Sequence, residues 1–323
     1  MQAYKTMNYI VFDLEWNQSP SGKDGELEKL PFEIIEIGAL KLDSQMNIVS
    51  EFCETIRPQV YPELHYKIKE ITHFEGEELK SSRTFIEVFR DFIAWCGEDF
   101  MLCTWGSMDV TELQRNMQFY NFPLFKAPVF FYDIQKIFSI VYEDRKTKRS
   151  LEWAIDYLKI EKNIDFHRAL SDAYYTHAVM KLFKHTDITK NYSIDYFQKP
   201  KNRSEEIYVI YETYSKYVSR EFDNKSDVLK DNRLNSTVCY KCGRKVRKKI
   251  RWFSDNSKTY YCLAYCDEHG WLKGKIKLKK SDNDRVFAVR ILSLTDSNGA
   301  EAIRQKQNSI RKKRRDKRKK LAY

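Results

Sequence analysis

The sequence predicts an α/β fold, a mixed sheet flanked by helices, followed by a small cysteine-rich module and a basic tail. Three observations carry that prediction. Short apolar runs of strand length alternate with stretches of helical spacing through residues 1–188. Two of these runs are joined by a short polar break, the mark of an antiparallel hairpin. Four of the seven cysteines and an excess of positive charge gather beyond Ser236.

The first strand covers residues 10–16, IVFDLEW. Side chains alternate along a strand, so Asp13 and Glu15 share one face and Phe12, Leu14 and Trp16 the other. Neighbouring carboxylates repel unless a cation sits between them. Taken alone, the pair also fits a solvated edge strand. Residues 17–31, NQSPSGKDGELEKLP, read as a loop. FEIIEIGALKLD and IVSEFCETI, split by SQMN, read as a hairpin that Arg57-Pro58 closes. Residues 81–96 have helical spacing, with Ser81 or Ser82 as cap and Phe85, Val88, Phe89, Phe92 and Trp95 on one face.

FMLCTW is a buried type of strand, followed by Gly106, Asp109 and a helix ending near Tyr120. VFFYDI is a further strand running into the helix QKIFSIVY, Ser150 caps LEWAIDYLKI, and residues 169–184 form a last helix. Residues 189–235, rich in Tyr, Lys, Asn and Ser, read as a helical connector with one helix around 205–221. The cysteine-rich module spans 236–280, and the strand-like RVFAVRILSL opens the tail of residues 281–323. Its end, IRKKRRDKRKK, reads as a flexible electrostatic arm.

At 323 residues and 42% apolar content the chain can bury a full catalytic core. No run approaches the ~18 apolar residues that span a bilayer. The start, MQAYKTMNYI, lacks an export signal's apolar segment. The expectation is a cytoplasmic protein without a membrane partner; in a eukaryotic source the basic run would double as a nuclear signal. Residues 236–323 hold 26 Lys and Arg against 8 Asp and Glu, so an acidic body carries a basic end. Nucleic acid is the natural partner of that end. Cys53, Cys96 and Cys103, scattered among apolar neighbours, read as small core residues.

Asp109 follows a buried strand and the turn GSM; Asp172 stands five residues after His167 in HRALSDAYYT. With a helix beginning near Arg168, His167 and Asp172 lie within one turn. Singly these residues fit a helix cap, a solvated helix position and a loop histidine. In order and context, FDLEW, WGSMD and HRALSDA resemble the motifs of the DEDDh 3′–5′ exonucleases of the RNase H-like superfamily. TWGSMD, YDIQKIF and SLEWAIDYLKI are most similar to the Eri-type exoribonucleases and to the bacterial inhibitors of the KinA pathway to sporulation. The resemblance covers roughly residues 8–185. Two positions depart from it: Ile71-Thr72-His73 replaces a Thr-Gly turn, and Tyr175 replaces an Asn.

The resemblance implies an RNase H-like sheet and hydrolysis of phosphodiesters with two Mg²⁺ or Mn²⁺ ions, releasing nucleoside 5′-monophosphates. Asp13, Glu15, Asp109 and Asp172 would be the metal ligands, with Asp13 as bridge, and His167 the general base. Carboxylates suit hard divalent cations, and imidazole is the side chain that exchanges protons near neutrality.

CYKCG, with Cys239, Cys242 and Gly243, has the form of a zinc knuckle. Cys266, His269 and Gly270 repeat it, so the expected site is one structural Zn²⁺ on Cys239, Cys242, Cys266 and His269, with Cys262 as the alternative fourth ligand. Around it stand RKVRKKIRW and KGKIKLKK with Trp252, Phe253, Tyr260, Tyr261 and Trp271, a mixture suited to single-stranded nucleic acid, RNA before DNA. Some of those rings must also fill the module's core. A DNA exonuclease of the same chemistry and a non-catalytic binding protein are the competing readings.

Overall fold

The computed structural model describes residues 7–74, 76–281 and 284–320. Residues 1–6, part of the segment that carries the expectation about export, and residues 321–323 of the basic tail lie outside the described residues. The chain divides into two units, Met1–Gln198 and Lys199–Tyr323.

The first unit contains β1 (Asn8–Asn17), β2 (Glu33–Leu42), β3 (Ile48–Thr55), α1 (Tyr66–Thr72), α2 (Gly76–Lys80), α3 (Phe85–Cys96), β4 (Phe100–Thr104) and α4 (Met108–Phe119). It continues with β5 (Phe130–Asp133), α5 (Ile134–Tyr142), α6 (Leu151–Leu158), α7 (Ala169–Lys181), α8 (His185–Thr189) and β6 (Ser193–Ile194). Its six strands run in the order β3-β2-β1-β4-β5-β6, with β1 antiparallel to β2 and parallel to β4. This is the mixed sheet flanked by helices, with an RNase H-like order and the hairpin at one edge.

β1 lies inside the sheet because both its faces are apolar. Ile10 and Phe12 pack with α3 and α4 through Val88, Phe89, Phe92, Val110 and Leu113. Tyr9 and Val11 pack on the other side with Ala173, Val179 and Met180 of α7. Asp13 and Glu15 continue the row of Tyr9 and Val11 and therefore belong to the α7 side. Asp13 pairs in register with Gly38 of β2 and Glu15 with Glu36. Gly38 has no side chain for a steric reason: a Cβ there would collide with the backbone of Ala169 and Leu170. The first turn of α7 is thereby laid directly on the sheet beside Asp13.

Two local expectations shift. α3 starts at Phe85 rather than near Ser81, because Thr84 and Glu87 form the cap, with Glu87 accepting a 2.8 Å hydrogen bond from the Thr84 N–H. Cys53 is exposed, not a core residue. β3 is the edge strand, and its alternation sends Phe52 inward against the α3 core instead.

The second unit contains β7 (Ile207–Ile210), β8 (Tyr214–Val218), α9 (Lys225–Lys230), α10 (Asn232–Asn235), β9 (Arg247–Ser254), β10 (Thr259–Cys266), β11 (Gly270–Lys280), β12 (Val286–Leu294) and α11 (Ser297–Lys320). Its sheet order is β7-β8-β12-β11-β10-β9. The helix expected around residues 205–221 is instead the hairpin of β7 and β8. IYVI and YSKYV alternate with period two, and Tyr217 and Val218 are buried. Residues 189–235 are thus not a helical connector: the stretch from Lys199 belongs to the same unit as the cysteines. The tail is not an appendage either, since β12 pairs with both β8 and β11. The run expected to be a flexible arm is helix α11.

β12 also buries Arg290, whose Nη1 donates to the carbonyls of Arg233, Leu234 and Ser236 at 2.7, 3.1 and 2.7 Å. That bond set fixes the turn leading into the cysteines. Among the described residues no helix is long and apolar enough to cross a membrane.

Candidate active site and cysteine cluster

The structure brings Asp13, Glu15 and Asp172 together, with one carboxylate oxygen from each within 4.8 Å of the others. β1 supplies the first two; α7 supplies the third from its first turn. Asp109 stands in the first turn of α4, buried, and accepts hydrogen bonds from its own N–H and that of Leu14. It lies outside the tight trio, yet its charge is felt there.

Burial first, then repulsion from Asp109, Glu15 and Asp172, drives the Asp13 carboxyl well above the usual range. Burial and the neighbouring Asp172 raise Glu15 to about 8. Burial pushes Asp109 up to about 7, against the two N–H bonds. Asp172 rises to about 6, again chiefly by burial, with the His167 ring pulling it down. Oδ1 of Asp172 is buried without a hydrogen-bond partner. A gathering of oxygen ligands, an orphaned oxygen among them, that resists carrying its own charge fits a hard divalent cation.

His167 is exposed, precedes α7 in a left-handed conformation (φ 66°), and donates its backbone N–H to Asp172. Two residues outside the predicted set hold that loop. Glu36, fully buried on β2, accepts from Arg168 through Nη2 at 2.7 Å and Nε at 3.1 Å, and from the Ala169 N–H at 2.8 Å. The guanidinium also lies over Phe74, 4.6 Å from the ring centroid. Tyr175, at a position where the family motif has Asn, donates to the Ile164 carbonyl at 2.6 Å and stacks on Phe166 with centroids 4.3 Å apart. This departure therefore helps build the loop. At the other one, His73 takes the left-handed conformation (φ 57°) that a Gly would take without strain.

A signal for Glu36 was present in the sequence. Glu36 is the lone charge in the apolar run IIEIGAL, and a charge inside a buried strand needs a partner.

In the second unit Cys239, Cys242, Cys266 and His269 converge within 4.8 Å. Nδ1 of His269 is 3.7 Å from both Cys239 Sγ and Cys266 Sγ, and Cys242 Sγ is 3.7 Å from Cys266 Sγ. Ligands ~2.3 Å from a tetrahedral centre stand ~3.8 Å apart, so the donor set fits zinc. Both knuckle glycines have the positive φ such turns need, 72° at Gly243 and 78° at Gly270. Arg244 N–H bonding holds the Cys242 thiol down at about 6. The alternative ligand Cys262 is not in this set. It is buried on β10 against Gly274, and burial raises its thiol to about 12.

The aromatic residues expected to stack on bases are used for packing. Tyr260 is buried, and the Trp252 indole donates to the Asn235 carbonyl at 3.1 Å. Phe253, Tyr261 and Trp271 pack with Leu263 and with Ala300 and Ile303 of α11.

The model of the RNase_T family, described as an exonuclease, matches residues 10–180, the span that holds Asp13, Glu15, Asp109, His167 and Asp172. No curated protein matches the chain. Among solved structures, a full-length 3′-exonuclease is 19% identical over 55% of this chain and 80% of its own, with a TM-score of 0.46. The nuclease domain of 3′hExo bound to rAMP, described as a DEDDh family member, is 19% identical over 55% and 92%, at 0.47. E. coli exonuclease I with an oligonucleotide is 15% identical over 80% and 54%, at 0.44.

The raised carboxyls set a pH dependence. Each binds its proton more tightly folded than unfolded, where carboxyls titrate near ~4. Their destabilisation is full above about 8 and is relieved as the pH falls through 8, 7 and 6 for Glu15, Asp109 and Asp172. The metal-free protein should therefore melt at higher temperature at pH 6 than at pH 8.5, relative to a Glu15→Gln variant measured alongside. Parallel melting curves for the two proteins across that window would contradict this electrostatic reading.

Proposed function

Since the chain belongs to the RNase_T exonuclease family, we propose that it is a metal-dependent 3′–5′ exonuclease of the DEDDh type acting on single-stranded RNA. The observation that carries this reading is the cluster of Asp13, Glu15 and Asp172 with Asp109 and His167 beside it. In this reading Asp13, central to the mutual repulsion, would hold the divalent cations together with Glu15 and Asp172, with Asp109 in support. When bound, Mg²⁺ or Mn²⁺ supplies Lewis acidity and charge neutralisation for in-line displacement at phosphorus.

The chain's own residues do the rest. A ring nitrogen of His167 takes the proton of the attacking water as its oxygen bonds to phosphorus. The bond from phosphorus to the 3′ oxygen of the penultimate nucleotide breaks, that oxygen is protonated from solvent, and a nucleoside 5′-monophosphate leaves. Glu36 and Tyr175 keep the imidazole in place by fixing the loop on both sides of it. RNA is favoured over DNA by the likeness of TWGSMD and SLEWAIDYLKI to the Eri-type enzymes. The four-ligand cluster of the second unit is proposed to hold a structural Zn²⁺, its two knuckles sharing one ion.

Matched RNA and DNA oligonucleotides labelled at the 5′ end, incubated with Mg²⁺, Mn²⁺ or chelator, test the activity. The expected result is a ladder of 3′-shortened RNA that needs metal, slowed roughly 10²–10⁴-fold by Asp13→Ala or His167→Ala. Undiminished digestion by either variant would remove the mechanism; faster digestion of DNA would correct the substrate; digestion of neither would favour the binding-protein reading. For the second unit, metal analysis should find one zinc per chain, lost in Cys239→Ser with a lower melting temperature. Protein purified without bound zinc and with unaltered stability would reject that site.

A further inference from the structure

β11 reads GWLKGKIKLKK, and its even-numbered members Leu272, Gly274, Ile276 and Leu278 face the core of the second unit. The odd-numbered members therefore project from the opposite face. Lys273, Lys275 and Lys277 are exposed there, and strand geometry repeats them every ~6.7 Å in one straight row. Across the ladder they pair with Ser293, Ile291 and Val289 of β12, and Ile291 pairs in turn with Lys216 of β8.

The row is not neutralised. Among the described residues none of the three lysines has an ion pair; Lys275 only approaches the Tyr261 ring, at 5.9 Å. The other border of this face is α11. Its first turns cover the β10 side of the sheet through Ala300 and Ile303, with Arg304 over Trp271 at 4.7 Å and Lys306 over Tyr261 at 4.9 Å. Lys275 and Lys306 thus meet the same ring from two elements. Beyond Ile310 every residue from 311 to 319 is exposed, and all but Asp316 are Lys or Arg. Like charges three and four residues apart destabilise a helix, and among the described residues only the Ser254 carbonyl, accepting from Arg314 Nη2 at 3.3 Å, and Asp316, 3.9 Å from Arg315, offset that repulsion. A polyanion would offset the rest.

We propose that the open part of this face, the ladder Lys273, Lys275 and Lys277 bordered by α11, is a track for the phosphodiester backbone of a single-stranded nucleic acid, gripped without regard to sequence. One straight row of cations matches one backbone, whereas a duplex groove presents phosphates on two sides. The absence of free aromatic platforms among the packed rings makes the contact electrostatic, not base-stacking. The inference deepens the exonuclease reading, on which its biological sense rests, by naming where the second unit holds its polymer.

Binding is measured by fluorescence anisotropy of a labelled single-stranded oligonucleotide on the full chain without added divalent metal, where nothing is cut. Lys273→Ala/Lys275→Ala/Lys277→Ala should reduce the magnitude of the slope of log K against log salt by about 2 and weaken binding by roughly one to two orders of magnitude at 0.1 M salt. The triple arginine variant should bind like the parent. Unchanged affinity and slope in the alanine variant would overturn the proposal, as would binding of phosphatidylglycerol vesicles in preference to the oligonucleotide. A parent chain that binds yet never digests would instead count against the exonuclease reading and leave the track standing.

Discussion

Four carboxylates that repel one another are held close together, and the first unit is arranged around keeping them there. The strain shows in Asp13, Glu15, Asp109 and Asp172, all displaced upward by burial in company with like charge. What holds them is backbone. Asp13 and Glu15 lie on a strand buried on both faces, and Gly38 lets α7 rest on the sheet without an intervening side chain. Glu36 then fixes the end of α7 by taking the Arg168 guanidinium and the Ala169 N–H together. Removing Arg168 is costly, because Glu36, buried out of reach of solvent, is left without its charged partner.

The two candidate metal centres divide by ligand chemistry. Carboxylates in a half-buried, strained cluster suit a hard cation that keeps waters and can be exchanged. Two thiols on one knuckle and a thiol with an imidazole on the other would fill all four positions around a tetrahedral ion, leaving none for a substrate. The first arrangement suits chemistry. The second suits the folding of a unit whose exposed surface is strongly basic.

Much of this was legible in the residues. The period-two spacing of Asp13 and Glu15, the strand-then-turn setting of Asp109 and the nearness of His167 to Asp172 all reappear in the fold, because local geometry alone sets them. His269 rather than Cys262 joins the knuckles for a similar reason: the Cys-x-x-His-Gly spacing is local, whereas Cys262 lies within a strand whose alternation turns it into the core. What escaped depended on partners distant in sequence. Glu36 matters through Arg168, 132 residues away. The β7–β8 hairpin reads locally as a helix because its short strands gain their burial from β12, some 70 residues later. The basic end reads locally as a flexible arm because its charge hides the two apolar residues, Ala300 and Ile303, that seat α11 on the sheet. The same helix covers Phe253, Tyr261 and Trp271, which the sequence alone presents as stacking platforms.

The most direct test of the idea that bound cations relieve the repulsion on β1 is calorimetric titration of the metal-free first site with Mn²⁺ at pH 7.5, with the cysteine–histidine cluster left unaltered. Two equivalents should bind, releasing protons from the raised carboxyls, and Asp13→Asn should abolish both without unfolding the chain. Binding that survives Asp13→Asn unchanged, or no binding by the parent chain, would contradict it.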